Sequence, residues 1–547
     1  MRQLPVIALA LLATHALAAA PVATPAFTPE RMRAHVSFLA DDLLEGRKTG
    51  TRGHEIAARY IAAQFESYGL KPGGSNGWYQ RITFQQTERG AKRGALTLSS
   101  AAGDRTWAHG TDVLVGMNPN DLTLDVSAAL VFVGYGIEDP RFKLDDYRGL
   151  DVKGKIAVAL SGFPKGLPSE EGSHLAATKD EVAQRHGAIG LISIHTLQTM
   201  QTFPWKRYLE VAEDPYIDWV AEDGKVHEDA PAIRARATLN TPAAEALFVG
   251  APRNLEALRR EADQVGKSPR GFPLKLRARI QSEAVAHRLT SPNVIGILPG
   301  ADPALANQYV VLSAHADHLG VEPARPADKP DTDRINNGAL DNGAGVATML
   351  EVARAAAGAA DRPRRSIIFV ASTGEEEGLL GADYFARHPP VPIAQIVGNV
   401  DLDMPVLLYP FTDVVAFGAD HSTFGPLVAA AVAPMGIKLA PDPMAAQGFF
   451  TRSDHYMFVR QGVPAVFFAT GFANGGEKAW ASFLDDGYHR PNDDMQQKID
   501  WDAGARFAEV NYRVTRAMAD ADEAPRWNKG DFFGDIFAPK APRAPKP

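Results

Sequence analysis

The distribution of apolar residues along the chain predicts buried strands that alternate with helices. Ile367 to Ala371 is continuously apolar and rich in β-branched residues, which is typical of a strand buried on both faces. Similar short apolar runs predict further strands at 293–298, 309–313, 396–402 and 465–468. Apolar residues at helical spacing predict helices at about 342–357, 379–387, 423–433 and 501–519. This order predicts an α/β fold, with a mixed, mostly parallel sheet sandwiched by helices.

The N-terminal third of the chain has a different texture and predicts an inserted unit. Thr28-Pro29-Glu30 is a typical helix start, and a second helix is expected at about 54–68. Short strands and turns follow, for example at 129–133 and 187–194. We therefore predict three parts: the first part of the main domain at 27–100, an inserted β-rich domain with its flanking segments at 101–284, and the main part of that domain at 285–520.

Both ends of the chain predict segments outside the folded domains. Arg2, the apolar run 6–13 and the small residues Ala16-Leu17-Ala18 together predict a signal peptide that is cleaved after Ala18. The mature protein would then be exported, to a periplasm or to the medium. No later apolar run reaches the ~20 residues of a membrane helix, so we expect no stable membrane span. Residues 538–547 alternate Pro, Ala, Lys and Arg and predict a disordered tail.

Composition and charge exclude several classes of function. The 547 residues carry a net charge of −8 and no long basic run, so the sequence predicts no nucleic-acid partner. The chain contains no Cys, which excludes disulfides, thiolate catalysis and Cys-type zinc sites. A metal ion would therefore have to be bound by His, Asp and Glu.

Side chains that bind metals follow the predicted strands. In open α/β sheets ligands gather outside the carboxyl ends of the strands. The candidates are His315 and Asp317 after the strand at 309–313, Glu375 and Glu376 after that at 367–371, Asp401 and Asp403 after that at 396–400, Asp341 in a Gly-rich turn and His489 in a loop. Any one of them alone is more often a surface or turn residue. So many such positions in one chain favour a common metal site.

Six motifs, in order along the chain, resemble those of the zinc peptidases of the M28 family, which are co-catalytic aminopeptidases and their relatives. The motifs are SAHADHLG (313–320), NNGALDNGAGVATMLEVAR (336–354), STGEEEGLLGADYF (372–385), NVDLDMP (399–405), TRSDHYMFVRQGVPAVFF (451–468) and YHRPNDD (488–494). The resemblance covers residues 291–515 and, more weakly, 28–100. Within the predicted insert, GLDVKGKI (149–156) and GAIGLI (187–192) resemble the protease-associated (PA) domain, over about 125–255.

The resemblance to the M28 family implies a site for two Zn²⁺ ions per chain. The family pattern assigns one ion to His315, Asp341 and Asp403, and the other to Asp341, Glu376 and His489, with Asp341 as the bridge. Imidazole and carboxylate suit zinc where thiolate is absent.

The resemblance also implies roles for neighbouring acids. Glu375 would be the general base, and Asp317 would orient His315. Asp403 is preferred as the ligand because the family pattern is NLDM, although Asp401 stands beside it as an alternative. Glu377 is interpreted as a structural or solvent-facing residue.

The implied function is an exported metallo-aminopeptidase that removes N-terminal residues from peptides by means of an activated water molecule. Three alternatives remain open: a carboxypeptidase or dipeptidase with the same site, a glutaminyl-cyclase-like acyltransferase, and a non-catalytic receptor-like binding protein. The insert is interpreted either as a wall that selects substrates or as an accessory module. The sequence indicates neither the native substrate nor the oligomeric state.

Overall fold

The computed structural model describes residues 25–101, 103–325 and 329–546, so the predicted signal peptide lies outside the described residues. The N-terminal elements are α1 (Pro29–Leu39), α2 (Arg52–Ser67), β1 (Lys71–Pro72) and β2 (Tyr79–Arg89). The α1 helix begins as predicted, with Pro29 in its first turn and the Thr28 hydroxyl accepting a hydrogen bond from Arg31 N.

The next elements build most of the predicted insert. They are β3 (Ala95–Ser100), β4 (Gly103–Ala108), β5 (Val113–Val115), β6 (Thr123–Phe132), β7 (Glu138–Asp139), β8 (Leu144–Asp145), β9 (Ile156–Leu160), α3 (Ser169–Ala177), α4 (Lys179–Arg185), β10 (Gly190–Ile194), α5 (Leu197–Thr202), α6 (Trp205–Glu210), β11 (Tyr216–Trp219), β12 (Ala235–Leu239), α7 (Thr241–Leu247), α8 (Leu255–Ala262) and β13 (Phe272–Leu298).

The remaining elements alternate between strands and helices. They are β14 (Tyr309–His315), β15 (Gly320–Val321), β16 (Ile335–Asn336), α9 (Gly345–Ala357), β17 (Ser366–Ser372), α10 (Leu380–Arg387), β18 (Ile396–Leu402), β19 (Asp413–Phe417), α11 (Phe424–Val432), β20 (Lys438–Ala440), α12 (His455–Arg460), β21 (Ala465–Thr470), α13 (Gly476–Ser482), α14 (Trp501–Asp520) and α15 (Phe532–Phe537).

The central sheet has the order β11-β2-β13-β17-β14-β18-β21-β19-β20. Its four middle strands, β17, β14, β18 and β21, are parallel, and antiparallel strands flank them. On one face α9 and α14 pack against each other and against β14, and on the other α12 packs against β18 and β21. The strand at the centre of the sequence argument, β17, is buried along its whole length. The predicted mixed sheet between helices is confirmed.

A second sheet forms the core of the insert and is joined to the central sheet by β13. This long strand pairs with β3 and β6 over its first half, and with β2 and β17 over its second half. The change of sheet therefore lies within one continuous strand. The second sheet also includes β3, which begins at Ala95, so it begins before residue 101, where the insert was predicted to begin. The insert returns one strand, β11, to the edge of the central sheet, where it pairs with β2.

The prediction of a disordered C-terminal tail is wrong for residues 538–546. The backbone N–H of Ala544 donates a hydrogen bond to Trp527 O, and its carbonyl oxygen accepts one from the backbone N–H of Lys529. Ala544 is only 3% exposed. Arg543 donates to the carbonyl oxygens of Gly534 and Ala538. The composition suggested disorder because the segment has few apolar residues, but backbone hydrogen bonds to the neighbouring segment hold it in place.

No helix in the described residues has the length and apolar character needed to cross a membrane.

Candidate metal centre

Parallel strands bring several of the predicted ligands to one edge of the central sheet. His315 is the last residue of β14 and lies in register with Ser372, the last residue of β17. Glu375 and Glu376 follow β17 directly, and Asp403 follows the adjacent strand β18. Because these strands run in the same direction, the loops that carry the ligands begin side by side.

Asp341 is positioned through its backbone by a second carboxylate. It lies in a π-helical turn, Ala339–Ala344, that leads into α9. Asp493 accepts hydrogen bonds from the backbone N–H of Asp341 and of Leu340, each at 2.9 Å. Asp493 is fully buried, and burial raises its pKa to about 6. Asp493 lies in the motif YHRPNDD, but the sequence alone indicated no role for this residue.

The two carboxylate oxygens of Asp341 face two different histidines. Oδ1 lies 3.2 Å from His315 Nε2, and Oδ2 lies 3.5 Å from His489 Nε2. His315 Nε2 is also 3.0 Å from Asp403 Oδ1, and His489 Nε2 is 3.0 Å from Glu376 Oε2. The structure therefore brings all five predicted ligands together, in two groups that share Asp341.

This set of donors fits divalent cations. Ligand atoms of His315, Asp341 and Glu376 lie within 4.8 Å of one another. Among the described residues, no Lys or Arg forms an ion pair with Asp341, Glu376 or Asp403, although all three are at most slightly exposed. Buried carboxylates are energetically costly unless positive charge compensates them, and bound metal cations would supply that charge.

The adjacent carboxylates Glu375 and Glu376 have different electrostatic environments. Burial raises the pKa of Glu375 well above its usual range, although His315 acts in the opposite direction. Burial acts on Glu376 as well, but His489 and His318 outweigh it and hold the pKa of Glu376 well below its usual range. Glu376 is thus the carboxylate that faces imidazoles. Glu375 instead lines a small cavity of about 20 Å³ beside Asp341.

Asp403, and not Asp401, faces the candidate site. Asp401 Oδ1 accepts a hydrogen bond from Ser313 Oγ at 2.6 Å, and Oδ2 accepts one from Ser453 Oγ at 2.6 Å. Oδ2 also accepts from the backbone N–H of His455 at 3.3 Å. Both oxygens of Asp401 therefore accept hydrogen bonds from the protein. Ser453 and His455 thus contact the strand end that precedes Asp403 and do not contact the candidate metal position directly.

Asp317 contacts His315 in a different way from the prediction. His315 Nδ1 lies 3.2 Å from the backbone oxygen of Asp317, while the nearest carboxylate oxygen is 4.0 Å away. The carboxylate instead accepts hydrogen bonds from Thr49 Oγ1 at 3.1 Å and from the backbone N–H of Glu375 at 3.2 Å. Asp317 therefore holds the imidazole through its main chain and the Glu375 loop through its side chain.

His318 is a further residue of the site that the sequence argument did not single out. Its Nδ1 lies 2.5 Å from Glu376 Oε1, and its ring packs edge-on against that of His489. Glu376 therefore has an imidazole at each oxygen. The signal was present in the motif SAHADHLG, where a second His follows the first by three positions. Glu377, which was interpreted from the sequence as structural or solvent-facing, pairs with Lys48.

Tyr488 and Arg452 form the rim of the site. The ring of Tyr488 stacks on that of His489, with centroids 3.8 Å apart, and Arg452 Nη2 donates to Tyr488 Oη at 3.2 Å. Burial raises the pKa of Tyr488. The Arg452 guanidinium also lies over the rings of Phe449 and Phe203, and Phe203 belongs to the insert.

A cleft of about 980 Å³ extends from this rim between the insert and the main domain. Tyr488, His489 and Arg452 line it at the metal centre. The α5 and α6 region of the insert lines the opposite side with Phe203 and Tyr208. A volume of this size is ordinary for a site that binds a small ligand or part of a peptide.

Comparisons with known proteins agree with this geometry. Over 125 residues the chain is 31% identical to a "Probable zinc metalloprotease" of Pyrenophora teres f. teres, and over 52 residues it is 50% identical to a "Vacuolar membrane protease" of Yarrowia lipolytica. These matches cover 22% and 10% of this chain but only 24% and 5% of the two relatives. The chain thus spans no more than a quarter of the length of either relative.

The fold is also that of a solved enzyme. The "Aminopeptidase from Aneurinibacillus sp. strain AM-1" superposes with a TM-score of 0.52 at 22% identity, over 92% of this chain and 96% of that one. Residues 293–515 match the profile of peptidase family M28, and all five candidate ligands lie in this range. The part of this chain that holds the candidate metal centre is therefore similar to peptidase family M28.

Proposed function

We propose that this protein is a two-zinc aminopeptidase that hydrolyses the N-terminal peptide bond of peptide substrates. The observation that carries the proposal is the convergence of two imidazoles and three carboxylates, with the oxygens of Asp341 facing both His315 and His489. A shared carboxylate between two groups of ligands is the arrangement that a pair of metal ions requires.

Zinc is proposed because of the chemistry of the donors and the description of a relative. Two imidazoles and three carboxylates, without thiolates, form a donor set that Zn²⁺ accepts. His315, Asp341 and Asp403 would hold one ion, and Asp341, Glu376 and His489 the other. The relative from Pyrenophora teres f. teres is described as a "Probable zinc metalloprotease". The positive charge of two ions would also stabilise the ionised forms of the buried carboxylates.

Glu375 is proposed as the general base. When bound, two zinc ions polarise the scissile carbonyl and lower the pKa of a water molecule. Glu375 accepts the proton of that water as its oxygen bonds to the carbonyl carbon, and then donates the proton to the amide nitrogen as the C–N bond breaks and the amine leaves. Its position suits this role because its side chain lines the small cavity beside Asp341, while Asp317 holds its backbone N–H.

The decisive experiment separates proton transfer from metal binding. The Glu375→Gln variant should lose at least ~100-fold in kcat on aminoacyl p-nitroanilides while it retains the zinc content of the wild type. The neighbouring Glu376→Gln variant should lose zinc, measured by atomic emission. Glu377→Gln is the matched control and should change neither quantity. Full activity of Glu375→Gln would refute the assignment, and a wild-type protein that binds no zinc would refute the proposed function.

A carboxypeptidase or dipeptidase activity is a second candidate, which Arg452 favours. In the described part of the chain this guanidinium forms no ion pair with a carboxylate, and it lies where the metal centre opens into the cleft. Such a group could bind the C-terminal carboxylate of a short substrate. Peptides blocked at the N-terminus or at the C-terminus distinguish the two activities. Cleavage only of substrates with a free N-terminus supports the aminopeptidase.

Two further features belong to the proposal. We propose that the insert is a PA-like domain that forms one wall of the substrate cleft, because Phe203 and Tyr208 line the side opposite the metal centre. We also propose export to a periplasm or to the medium through cleavage after Ala18, which rests on the sequence alone. The N-terminal sequence of the mature protein, together with cell fractionation, tests the second point.

A further inference from the structure

Arg47 lies behind the metal centre with its positive charge buried. Its side chain is among the largest that are fully buried, with 1% exposure. Nε donates to the backbone oxygen of Ala316 at 3.0 Å, Nη1 to those of Asn337 at 2.5 Å and of Leu39, and Nη2 to that of Gly338 at 3.1 Å. All four acceptors are main-chain carbonyls.

Three of these carbonyls belong to the two loops that carry metal ligands. Ala316 directly follows His315, while Asn337 and Gly338 immediately precede the turn that carries Asp341. One planar guanidinium therefore bridges two loops that the sheet topology leaves separate. The rigid fork of an Arg side chain suits such multiple acceptors better than the single ammonium of Lys.

The backbone around Arg47 has an unusual conformation that places this side chain in the interior. Glu45, Gly46 and Arg47 are consecutive left-handed residues, with φ of 49°, 64° and 48°. The left-handed conformation is unfavourable for a residue other than Gly, because the Cβ atom lies too close to the following carbonyl oxygen. At Gly46, a Cβ atom would lie 2.5 Å from Asn336 O and 2.6 Å from Gly320 O. The segment thus packs closely against the loops of the site. Strained backbone residues often cluster at functional sites.

In the part of the chain that the structure describes, Arg47 forms no direct ion pair, and its charge is compensated at a distance. Burial lowers its pKa to about 10, against the opposing effect of nearby carboxylates, which are Asp493, Asp317, Asp341 and Glu376. The group stays charged at neutral pH. Its hydrogen bonds to carbonyls are therefore charge-assisted and about twice as strong as neutral ones.

We propose that Arg47 is a positioning residue of the metal centre, which ties the His315 loop to the Asp341 loop and so sets the separation of these two ligands. The inference rests on the proposed function, since it concerns the same zinc site. Loss of a group that orients metal ligands typically lowers metal affinity by ~10- to 100-fold. A purely structural Arg would lower stability without this effect on zinc.

The chain offers a matched comparison in Arg365. It is also 1% exposed, and it donates to the Gln308 side chain and to the backbone oxygens of Met518 and Ala521. It precedes Ser366, the first residue of β17, and so lies at the opposite end of this strand from the metal centre. The same substitution at Arg365 perturbs a buried guanidinium without touching the ligand loops.

The test compares Arg47→Lys with Arg365→Lys in the full chain, because Lys keeps the buried charge and removes the fork. The zinc dissociation constant is measured by competition with a chromophoric chelator, and folding is checked by the melting temperature of the zinc-free protein. Both variants should melt below the wild type. Arg47→Lys should bind zinc ~10-fold or more weakly, whereas Arg365→Lys should stay within twofold of the wild type.

Equal zinc affinity of the wild type and Arg47→Lys would overturn the inference and leave the proposed function intact. A wild-type protein that binds no zinc would overturn both. If Arg47→Lys does not fold, Gly46→Ala decides the question, because its added methyl group displaces the same segment from Asn336 and Gly320. A folded Gly46→Ala variant with wild-type zinc affinity would overturn the inference as well.

Discussion

Ser453 donates its hydroxyl hydrogen to Asp401 Oδ2 across 2.6 Å, from the segment before α12 to the end of β18. With Ser313 on the other oxygen, this bond occupies the carboxylate that the sequence leaves as the alternative to Asp403. Both oxygens of Asp401 thus face hydroxyl groups of the protein, whereas Asp403 faces His315, so Asp403 is the better placed of the two to bind a metal ion.

We therefore expect opposite results for the two neighbouring acids. Asp403→Asn should lose zinc and at least ~100-fold in kcat/KM, because it removes a charged ligand beside His315. Asp401→Asn should retain zinc and melt at a lower temperature, because its amide cannot accept from Ser313 and Ser453 at once. Zinc content and melting temperature of both variants check this. Loss of zinc in Asp401→Asn alone would reverse the assignment.

Asp493 supports the proposed bridging ligand through two backbone hydrogen bonds. Asp493→Asn replaces one acceptor oxygen by a donor, so the turn that carries Asp341 should loosen. We expect zinc affinity to fall by ~10-fold. Asp494→Asn is the control from the same loop, since the hydrogen bond that Asp494 accepts within the described residues comes from the nearby Gln496 N. Equal zinc affinities of the two variants would contradict the role given to Asp493.

His421 joins three parts of the chain. Its Nδ1 lies 2.6 Å from Asp531 in the C-terminal segment, and its Nε2 lies 2.6 Å from Glu170 in the insert. Burial alone would lower the pKa of His421, but these two carboxylates outweigh it and raise the pKa to about 10. The protonated imidazole thus stabilises the contact between the insert and the main domain.

Stability should accordingly fall in alkaline solution. Because the folded-state pKa is raised, the contribution of His421 is complete below the unfolded pKa of ~6.5 and is lost as the pH rises through about 10. We expect the wild type to lose about 2–4 kcal/mol more unfolding free energy between pH 7 and pH 10 than His421→Gln does. Urea unfolding at both pH values measures this difference. Parallel losses in the two proteins would exclude this contribution.

The packed C-terminal segment gives a further test. Removal of the residues after Phe537 eliminates the bonds of Ala544 to Trp527 and Lys529 and the donation of Arg543 to Gly534. At ~0.5–1.5 kcal/mol for each of these three hydrogen bonds, the truncated protein should lose about 1.5–4.5 kcal/mol of stability. Removal of only Lys546 and Pro547 is the control. An unchanged melting temperature after the longer truncation would restore the prediction of a disordered tail.

The sequence predicted the helices and strands of the main domain because their signals are local. Ile367 to Ala371 shows its burial through a continuous apolar run, and α14 shows its apolar face through its period. The candidate ligands were also predictable, since each stands directly after such a strand or in one of the six motifs that resemble the M28 family. The failure at 538–546 has the same origin: composition records apolar content and does not record backbone bonds to a distant segment.

Only the tertiary structure decided which acid faces the site and which groups stand behind it. Asp401 and Asp403 have the same side chain two positions apart. The family pattern favours Asp403, and the location of Ser313 and Ser453 gives the physical reason that Asp401 does not face the site. Arg47 likewise contacts carbonyls that lie 269 to 291 positions away in the chain. Chemical identity and local period are properties of the sequence, whereas hydrogen bonds between distant segments exist only once the chain has folded.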